Sequence, residues 1–262
     1  MMKSRFPHHK ALVTGASSGL GRELCGLLAE TGCEIWGVSR DASRVPQTCA
    51  HAVALDLADA MAVARFSEGM LKDIAPDLLV NCAGGGVFGD TAAIDADTFA
   101  AELRVLLESP ALLCRAALPA MLASERGCIA NVSSMAVEFP LPCMAPYNAA
   151  KAGLSALSRT LAEETRGKGV AVIDFRPGDF SSGFLASTRR LGGSQKAWEA
   201  ASAHIRGAPS AGNIAADLFE AIARGRSGTV RSGGFFQTRL APFGARVLPS
   251  WAMERLARKY LG

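Results

Sequence analysis

The chain has 262 residues, 49% of them hydrophobic and 20% charged, with a net charge of +4. This composition supplies a large core and excludes a disordered protein, and so small a charge excess does not by itself imply a nucleic-acid partner. The basic excess is concentrated near the end: Arg224, Arg226, Arg231, Arg239, Arg246, Arg255, Arg258 and Lys259 share the last forty residues with a single acid, Glu254. Such an excess is ordinarily solvated surface. The opening "MMKSRFPHHK" carries charge with no apolar run behind it, so no signal peptide is read, and no stretch is read as long enough to span a bilayer. The seven cysteines are scattered, with no C-x-x-C pair. They argue against a metal or redox site and for a reducing, cytoplasmic compartment.

The elements alternate along the chain. "KALVTG" (10–15) reads as a short buried strand, and Leu20, Leu24, Leu27 and Leu28 behind it recur at helical spacing up to a stop at Gly32. "CEIWGVSR" (33–40), "HAVALDL" (51–57) and "DLLVNCAG" (77–84) read as further strands, with a helix over 59–74. Helices follow at roughly 95–106 and 109–125, then the strand "GCIANVSS" (127–134), a helix over 146–167 and the strand "GVAVIDFRPG" (169–178). A helix near 211–225 and a strand near 228–232 complete the pattern. Strands alternating with helices of this length predict a doubly wound parallel sheet, an α/β Rossmann-like fold. No linker or repeat divides 1–262, so one domain is expected. It would carry a helical flap over 179–210 and a C-terminal extension from about 235 to 262.

The first strand-to-helix turn is "TGASSGLG" (14–21). Glycines at a helix start bring free backbone N–H groups and the positive end of the helix dipole to one point, which suits a phosphate. Gly15 permits the tight turn, Gly19 a close approach to the backbone, and Gly21 close packing of the helix. The candidate contacts of this turn are Thr14, Gly15, Ser17, Ser18, Gly19, Leu20 and Gly21.

The spacing T-G-x-x-x-G-x-G resembles that of the short-chain dehydrogenase/reductase family, and the resemblance runs from about residue 10 to about 230. Asp56, followed by Leu57, matches the acid that the family places near the adenine. "NCAG", with Asn81, Ala83 and Gly84, matches the N-N-A-G element, Cys82 replacing the second Asn. Ser134, Tyr147 and Lys151 match the catalytic Ser and the Y-x-x-x-K pair. Pro177 and Gly178 match the turn beside the nicotinamide. The resemblance implies a homodimer or homotetramer and a role for Lys151 in holding the nicotinamide ribose.

Dehydrogenases that use NAD usually present an acid to the ribose at the end of the second strand. Here Ser39 and Arg40 stand at that point, with Arg22 nearby in sequence and Asp41 two places late. A cation there would attract a 2′-phosphate, so NADP(H) is expected over NAD(H). Tyr147 and Lys151, four apart, share a helix face. The ammonium is expected to lower the phenol from its reference of ~10 and so ready it for proton exchange with a carbonyl or alcohol oxygen. Ser134 would hydrogen-bond the same oxygen.

Two departures from the family pattern stand out. The family Asn in the helix before "ALPAM", whose backbone holds a relay water, falls on Leu106; its carbonyl could still serve if the helix bends there, with Pro110 a candidate cause. The Thr that often follows the Pro-Gly turn is absent, and Ser182 is the substitute, with Ser181 next. Phe139, Leu141, Cys143, Met144, Phe180, Phe184 and Leu185 would border the substrate, which favours a small apolar carbonyl compound or alcohol; Arg189 and Arg190 stand at the pocket mouth. Two other readings stay open: a nucleotide-binding sensor with weakened catalysis, resting on Leu106, and a membrane-associated, lipid-directed reductase. The latter rests on the apolar stripe Met253, Leu256, Ala257, Tyr260 and Leu261 among basic residues, for which docking on protein is favoured over a membrane.

Overall fold

The computed structural model of the chain describes residues 6–138, 141–181, 184–193, 195–196, 198–199, 202, 208–234 and 255. The main strands are β1 (Lys10–Thr14), β2 (Glu34–Ser39), β3 (His51–Ala54), β4 (Leu78–Asn81), β6 (Gly127–Val132), β7 (Val170–Pro177) and β9 (Gly228–Ser232). They form one parallel sheet in the order β3-β2-β1-β4-β6-β7-β9. The order reverses between β1 and β4, which opens a crevice at the carboxyl ends of these strands. This is the doubly wound Rossmann-like fold expected.

Successive side chains of a strand face opposite ways, and the two faces carry separate cores. Ala11, Val13, Leu78, Val80, Ala130 and Ile173 pack with α1 (Gly19–Ala29) and α8 (Ala211–Ala223). Leu12, Leu79, Ile129 and Val172 pack with α2 (Ala60–Glu68), α3 (Met70–Ile74) and α5 (Ser109–Ala123). In α1 the buried residues are Leu20, Leu24, Cys25 and Leu28, the spacing of one helical stripe. Each fully buried Leu contributes about 2 kcal/mol. Polar side chains start three of the other helices: Asp59 accepts from Ala62, Asp95 from Thr98 and Ser210 from Asn213.

Three features differ from the sequence-based expectation. The helix over 59–74 breaks at Gly69, whose dihedrals of −109° and −102° are not helical. The helices expected at 95–106 and 109–125 run on as one: α4 (Ala96–Leu103), a π-helical stretch over Arg104–Glu108, then α5. That continuous run, Ala96–Ala123, is long and apolar enough to cross a membrane by length and composition, where no such stretch was read in the sequence. Its Leu106, Leu113, Cys114, Ala116, Ala117 and Met121 are buried within the protein. The third difference is a two-residue strand pair, β5 (Val87–Phe88) with β8 (Arg189–Arg190), too short to leave a periodic signal.

At the carboxyl end of the sheet the strand register aligns Thr14, Asn81, Asn131, Asp174 and Thr229 in one row. Polar groups this deep must be paired. Asn81 donates to Asn131 Oδ1 at 2.8 Å, and Asn131 donates to Ser158 of α6 (Ala145–Glu164) at 2.9 Å. Thr229 donates to Asp174 at 3.2 Å. This polar row underlies the candidate site.

Candidate active site

The turn between β1 and α1 is closed by backbone. Gly15 has φ of +72°, and its N–H and that of Ala16 donate to Val38 O at 3.0 and 3.2 Å. A Cβ on Gly15 would stand 2.8 Å from Ala83 Cα. One on Gly21 would collide with the Gly15 carbonyl. Thr14 locks the two loops together, its Oγ1 accepting from Cys82 N and Ala83 N at 3.0 and 3.1 Å. Ser18 caps α1 without a side-chain bond, and no acid lies in the first turn. The N–H groups there are open to an anion, so the residues fit a dinucleotide phosphate.

Beside this turn a cavity of about 500 Å³ is lined by Ser17, Arg22, Ser43, Arg44 and Thr48, with Val45, Pro46 and Gln47. No carboxylate lines it. Arg40 and Ser39, expected to receive the 2′-phosphate, are not among its lining residues; Ser43 and Arg44, not singled out in the sequence, are. Asp41 is committed elsewhere, its carboxylate accepting from the N–H and hydroxyl of Ser43. Asp56 is exposed and accepts from Ala58 N at 2.9 Å, while Leu57 is buried and its carbonyl accepts from Ser109.

Tyr147 and Lys151 lie one turn apart on α6, and Ser134 follows β6. Ser134 acts on the Tyr147 phenol, favouring its ionised form, and Ser134 Oγ accepts from Ala136 N at 3.0 Å. Lys151 is buried, donates to Val132 O at 2.7 Å, and stands 5.8 Å from the centre of the Tyr147 ring. The expected depression of the phenol does not occur in this form. Burial pushes Tyr147 up to about 12, with Glu102 and Asp179 adding to the rise and Ser134 opposing it. Burial also pulls Lys151 down to about 8. Desolvation is the largest cause for both groups.

Phe184, at the start of α7 (Phe184–Ser187), meets the Tyr147 ring edge to face at 5.5 Å. A Cβ on Gly86 would come within 2.9 Å of Phe184 and 3.0 Å of Met144. β8 is tied to the loop that carries β5: Arg189 N donates to Gly86 O and Leu191 N to Phe88 O, at 2.9 and 2.8 Å.

A family model described as short chain dehydrogenase matches residues 9–191. The chain belongs to the short-chain dehydrogenase/reductase family. A short chain dehydrogenase of Pseudocercospora fijiensis is 31% identical over 184 residues, covering 66% of this chain and 60% of the relative. A 3-ketodihydrosphingosine reductase of Bacteroides thetaiotaomicron is 30% identical over 174 residues, 66% of this chain and 64% of the relative. The matches thus span less than two thirds of these two relatives. A metagenomic short-chain oxidoreductase solved in complex with NADP superposes with a TM-score of 0.70 at 30% identity, over 87% of this chain and 98% of that one.

Within this short-chain dehydrogenase/reductase site, several expected residues have tasks other than contact. Asn81 is buried and its amide donates to Asn131, Cys114 and Pro110, so its side chain serves the core, and Ala83 and Gly84 shape the adjoining loop. Pro177 ends β7 and Gly178 N donates to Ser232 O at 2.8 Å. Ser182, Phe139 and the C-terminal stripe fall outside the described residues, as does the side chain of Leu185. Ser181 is bound through its backbone to Pro209 and Ala211. Phe180 packs against the core of the α1 face. Leu106 lies in the π-helical stretch, which interrupts the α-helical hydrogen-bond ladder there; Pro110 sits in the first turn of α5 beyond it.

Two groups of site residues carried no signal that a motif search would find. One is a buried ionic network. Arg176 donates to Asp174 at 2.8 Å, Glu138 at 2.6 Å and Ser155 at 2.7 Å, and Arg231 reaches the same Glu138 oxygen at 2.6 Å. Glu138 follows the turn that begins at Ser134, and Arg176 precedes Pro177, so the network joins the loops on either side of the site. Ser155 stands four residues beyond Lys151, which itself stands four beyond Tyr147; that one stripe on α6 was readable in the sequence. The second is Glu102 of α4, buried with its carboxylate accepting from Val87 N.

Proposed function

We propose that this chain is an NADPH-dependent reductase of apolar carbonyl compounds, also able to run the reverse oxidation. The observation that carries the reading is the grouping of the Tyr147 phenol with Ser134, which acts on it, and with Lys151 one turn beyond, 5.8 Å from the ring centre. NADPH, when bound, supplies the hydride. Ser134 Oγ and the Tyr147 hydroxyl converge on one point and would hold a carbonyl oxygen there. Tyr147 then donates its proton as negative charge develops on that oxygen. Lys151, cationic below its titration near about 8, steadies the phenolate left behind. Phe184 and Met144 exclude water from this side and favour an apolar substrate.

The preference for NADPH is supported by Arg22 and Arg44 around a cavity with no acid. A guanidinium pairs well with a phosphate and gains nothing from a ribose hydroxyl at the same place. Steady-state rates across ketones, including a long-chain 3-keto amine suggested by the name of one relative, test both parts. NADPH should exceed NADH in kcat/KM by about 10-fold or more, as for one charge-assisted contact. Tyr147→Phe should lower kcat by ~10²-fold or more while NADPH binding, followed by fluorescence, stays within about twofold. Equal use of NADH would remove the cofactor preference, and a Phe variant of normal rate would remove Tyr147 from the mechanism.

A further inference from the structure

Three consecutive residues leave the end of β6, and each meets a different part of the protein. The Val132 carbonyl accepts from Lys151 Nζ at 2.7 Å. Ser134 stands in extended backbone, with φ of −167° and ψ of 156°, and its Oγ accepts from Ala136 N at 3.0 Å. Between them, Ser133 is held against β7. Its N–H donates to Phe175 O at 2.8 Å, and its hydroxyl stands 2.5 Å from Asp174 Oδ1 and 3.1 Å from Phe175 O. A hydroxyl has one proton to give, and a carboxylate is a stronger acceptor for it than a carbonyl.

Asp174 is fully buried. Its Oδ2 accepts from Arg176 Nε and from Ser155 Oγ, each at 2.8 Å, and from Thr229 Oγ1 at 3.2 Å. These donors come from β7, α6 and β9, so three elements fix the plane of the carboxylate. Its Oδ1 then faces Ser133 from a set position. The N–H bond of Ser133 fixes the peptide plane that precedes it, and the hydroxyl bond fixes the direction of its Cα–Cβ bond. With two bonds of a tetrahedral Cα fixed, the third is fixed as well, and that third bond sends the chain toward Ser134.

Resting on the reductase reading above, in which Ser134 clamps the substrate oxygen, we propose that Asp174 is the positioning residue of that clamp, acting through the hydroxyl of Ser133. Asp174 touches neither the substrate nor the cofactor. A clamp works only when its hydroxyl is held to about 0.5 Å, by neighbours whose own rotamers are locked. Asp174 meets that need because its carboxylate is satisfied on Oδ2 whether or not Ser133 is present. The same Oδ2 holds Arg176, the residue before Pro177, so the clamp and the Pro177-Gly178 turn are set from one fixed group.

Changing Asp174 itself would leave Arg176 buried without this carboxylate and put the fold at risk, so the test changes Ser133. Ser133→Ala removes the hydroxyl and leaves the Oδ2 contacts in place. Ser155→Ala is the control, because it removes a hydrogen bond to the same carboxylate from a residue that does not lead to Ser134. With the full chain, NADPH and a ketone that the wild type reduces, Ser133→Ala should lower kcat by about 10-fold, short of the ~10²-fold that a 1 Å misplacement can cost. KM should stay within about twofold, as for an interaction that matters in the transition state. Ser155→Ala should keep the wild-type kcat. A readout that needs neither cofactor nor substrate is hydrogen exchange at Ala136 N–H, whose acceptor is Ser134 Oγ. It should run about 10-fold faster in Ser133→Ala than in the wild type or in Ser155→Ala, as for a local opening. Full kcat in Ser133→Ala overturns the proposal, as do equal losses of kcat in the two variants or an unchanged exchange rate at Ala136. If the wild type reduces no carbonyl compound, the reductase reading fails, while the exchange at Ala136 still decides whether the Ser133–Asp174 contact holds Ser134 in place.

Discussion

Two buried charge systems lie on either side of one stripe of α6, and they are built in opposite ways. Beyond Lys151, Ser155 faces Asp174, Arg176, Glu138 and Arg231, where guanidinium groups and carboxylates meet at 2.6 to 2.8 Å. Toward α4, Glu102 has a neutral backbone N–H as its hydrogen-bond partner and feels Lys151 only through the field. The first arrangement offsets the cost of burying charge with direct partners and works as a strut between the Ser134 loop and the Pro177-Gly178 turn. The second leaves the cost in place, and the carboxyl meets it by holding a proton near neutral pH. Burial alone therefore does not say what a charged residue is for; the identity of its partner does.

The largest effect should come from breaking the strut. Arg176→Met keeps much of the volume but leaves Asp174 and Glu138 buried without this guanidinium. Removing one partner of a buried pair costs about 3–5 kcal/mol, and urea unfolding measures it. Arg231 still reaches Glu138, so the loss should fall mainly on Asp174. A cost below about 1 kcal/mol would show that the network is solvated in practice and erase its difference from an exposed pair.

Glu102 should behave the other way, through pH. An unfolded Glu ionises near 4.5 and this one, folded, near about 7. Between these values the folded protein holds a proton that the unfolded chain has released. Its contribution to stability is full below about 4.5 and is lost as pH rises through about 7. The difference corresponds to ~3 kcal/mol at most. Glu102→Gln should remove that slope, so unfolding midpoints at pH 5 and pH 8 should lie closer together in the variant. Other groups, His8 among them, are common to both proteins and cancel in the comparison. Parallel curves for the two would place Glu102 among carboxylates that ionise normally.

Much of this site was legible before any coordinates. The glycine spacing of 14–21, the strand–helix alternation and the i,i+4 pair Tyr147 and Lys151 each follow from local rules, and the structure brings them together. The phenol's pKa was not legible, because it depends on how deeply α6 sits, which no local spacing records. Arg40 was singled out because the end of β2 was readable, while the turn that carries Ser43 and Arg44 past the cavity was not. Glu102 was invisible for a related reason. It is one acid among several in "DADTFAAEL", and only the packing of α4 on α6 sets it apart from Asp95, which caps the helix. The polar row across the sheet, by contrast, could have been found, since each strand ends its apolar run in Thr14, Asn81, Asn131 or Asp174.

The smallest effect tests whether the two systems are separate. Ser155 Oγ donates to Asp174 at 2.8 Å and accepts from Arg176 at 2.7 Å, yet Arg176 and Asp174 also bond each other directly. Ser155→Ala therefore removes a bridge whose ends remain paired, and about 1–2 kcal/mol of stability should go. Its kcat should be unchanged, because Ser134, Tyr147 and Lys151 are untouched. Combined with Glu102→Gln, the stability losses should add to within about 0.5 kcal/mol, as for sites with no shared partner. The stripe on α6 nevertheless joins them covalently through Lys151 and Ser155, one turn apart. A coupling above about 1 kcal/mol would mean that this turn transmits strain from the ionic network toward Glu102, and the two systems would then have to be treated as one.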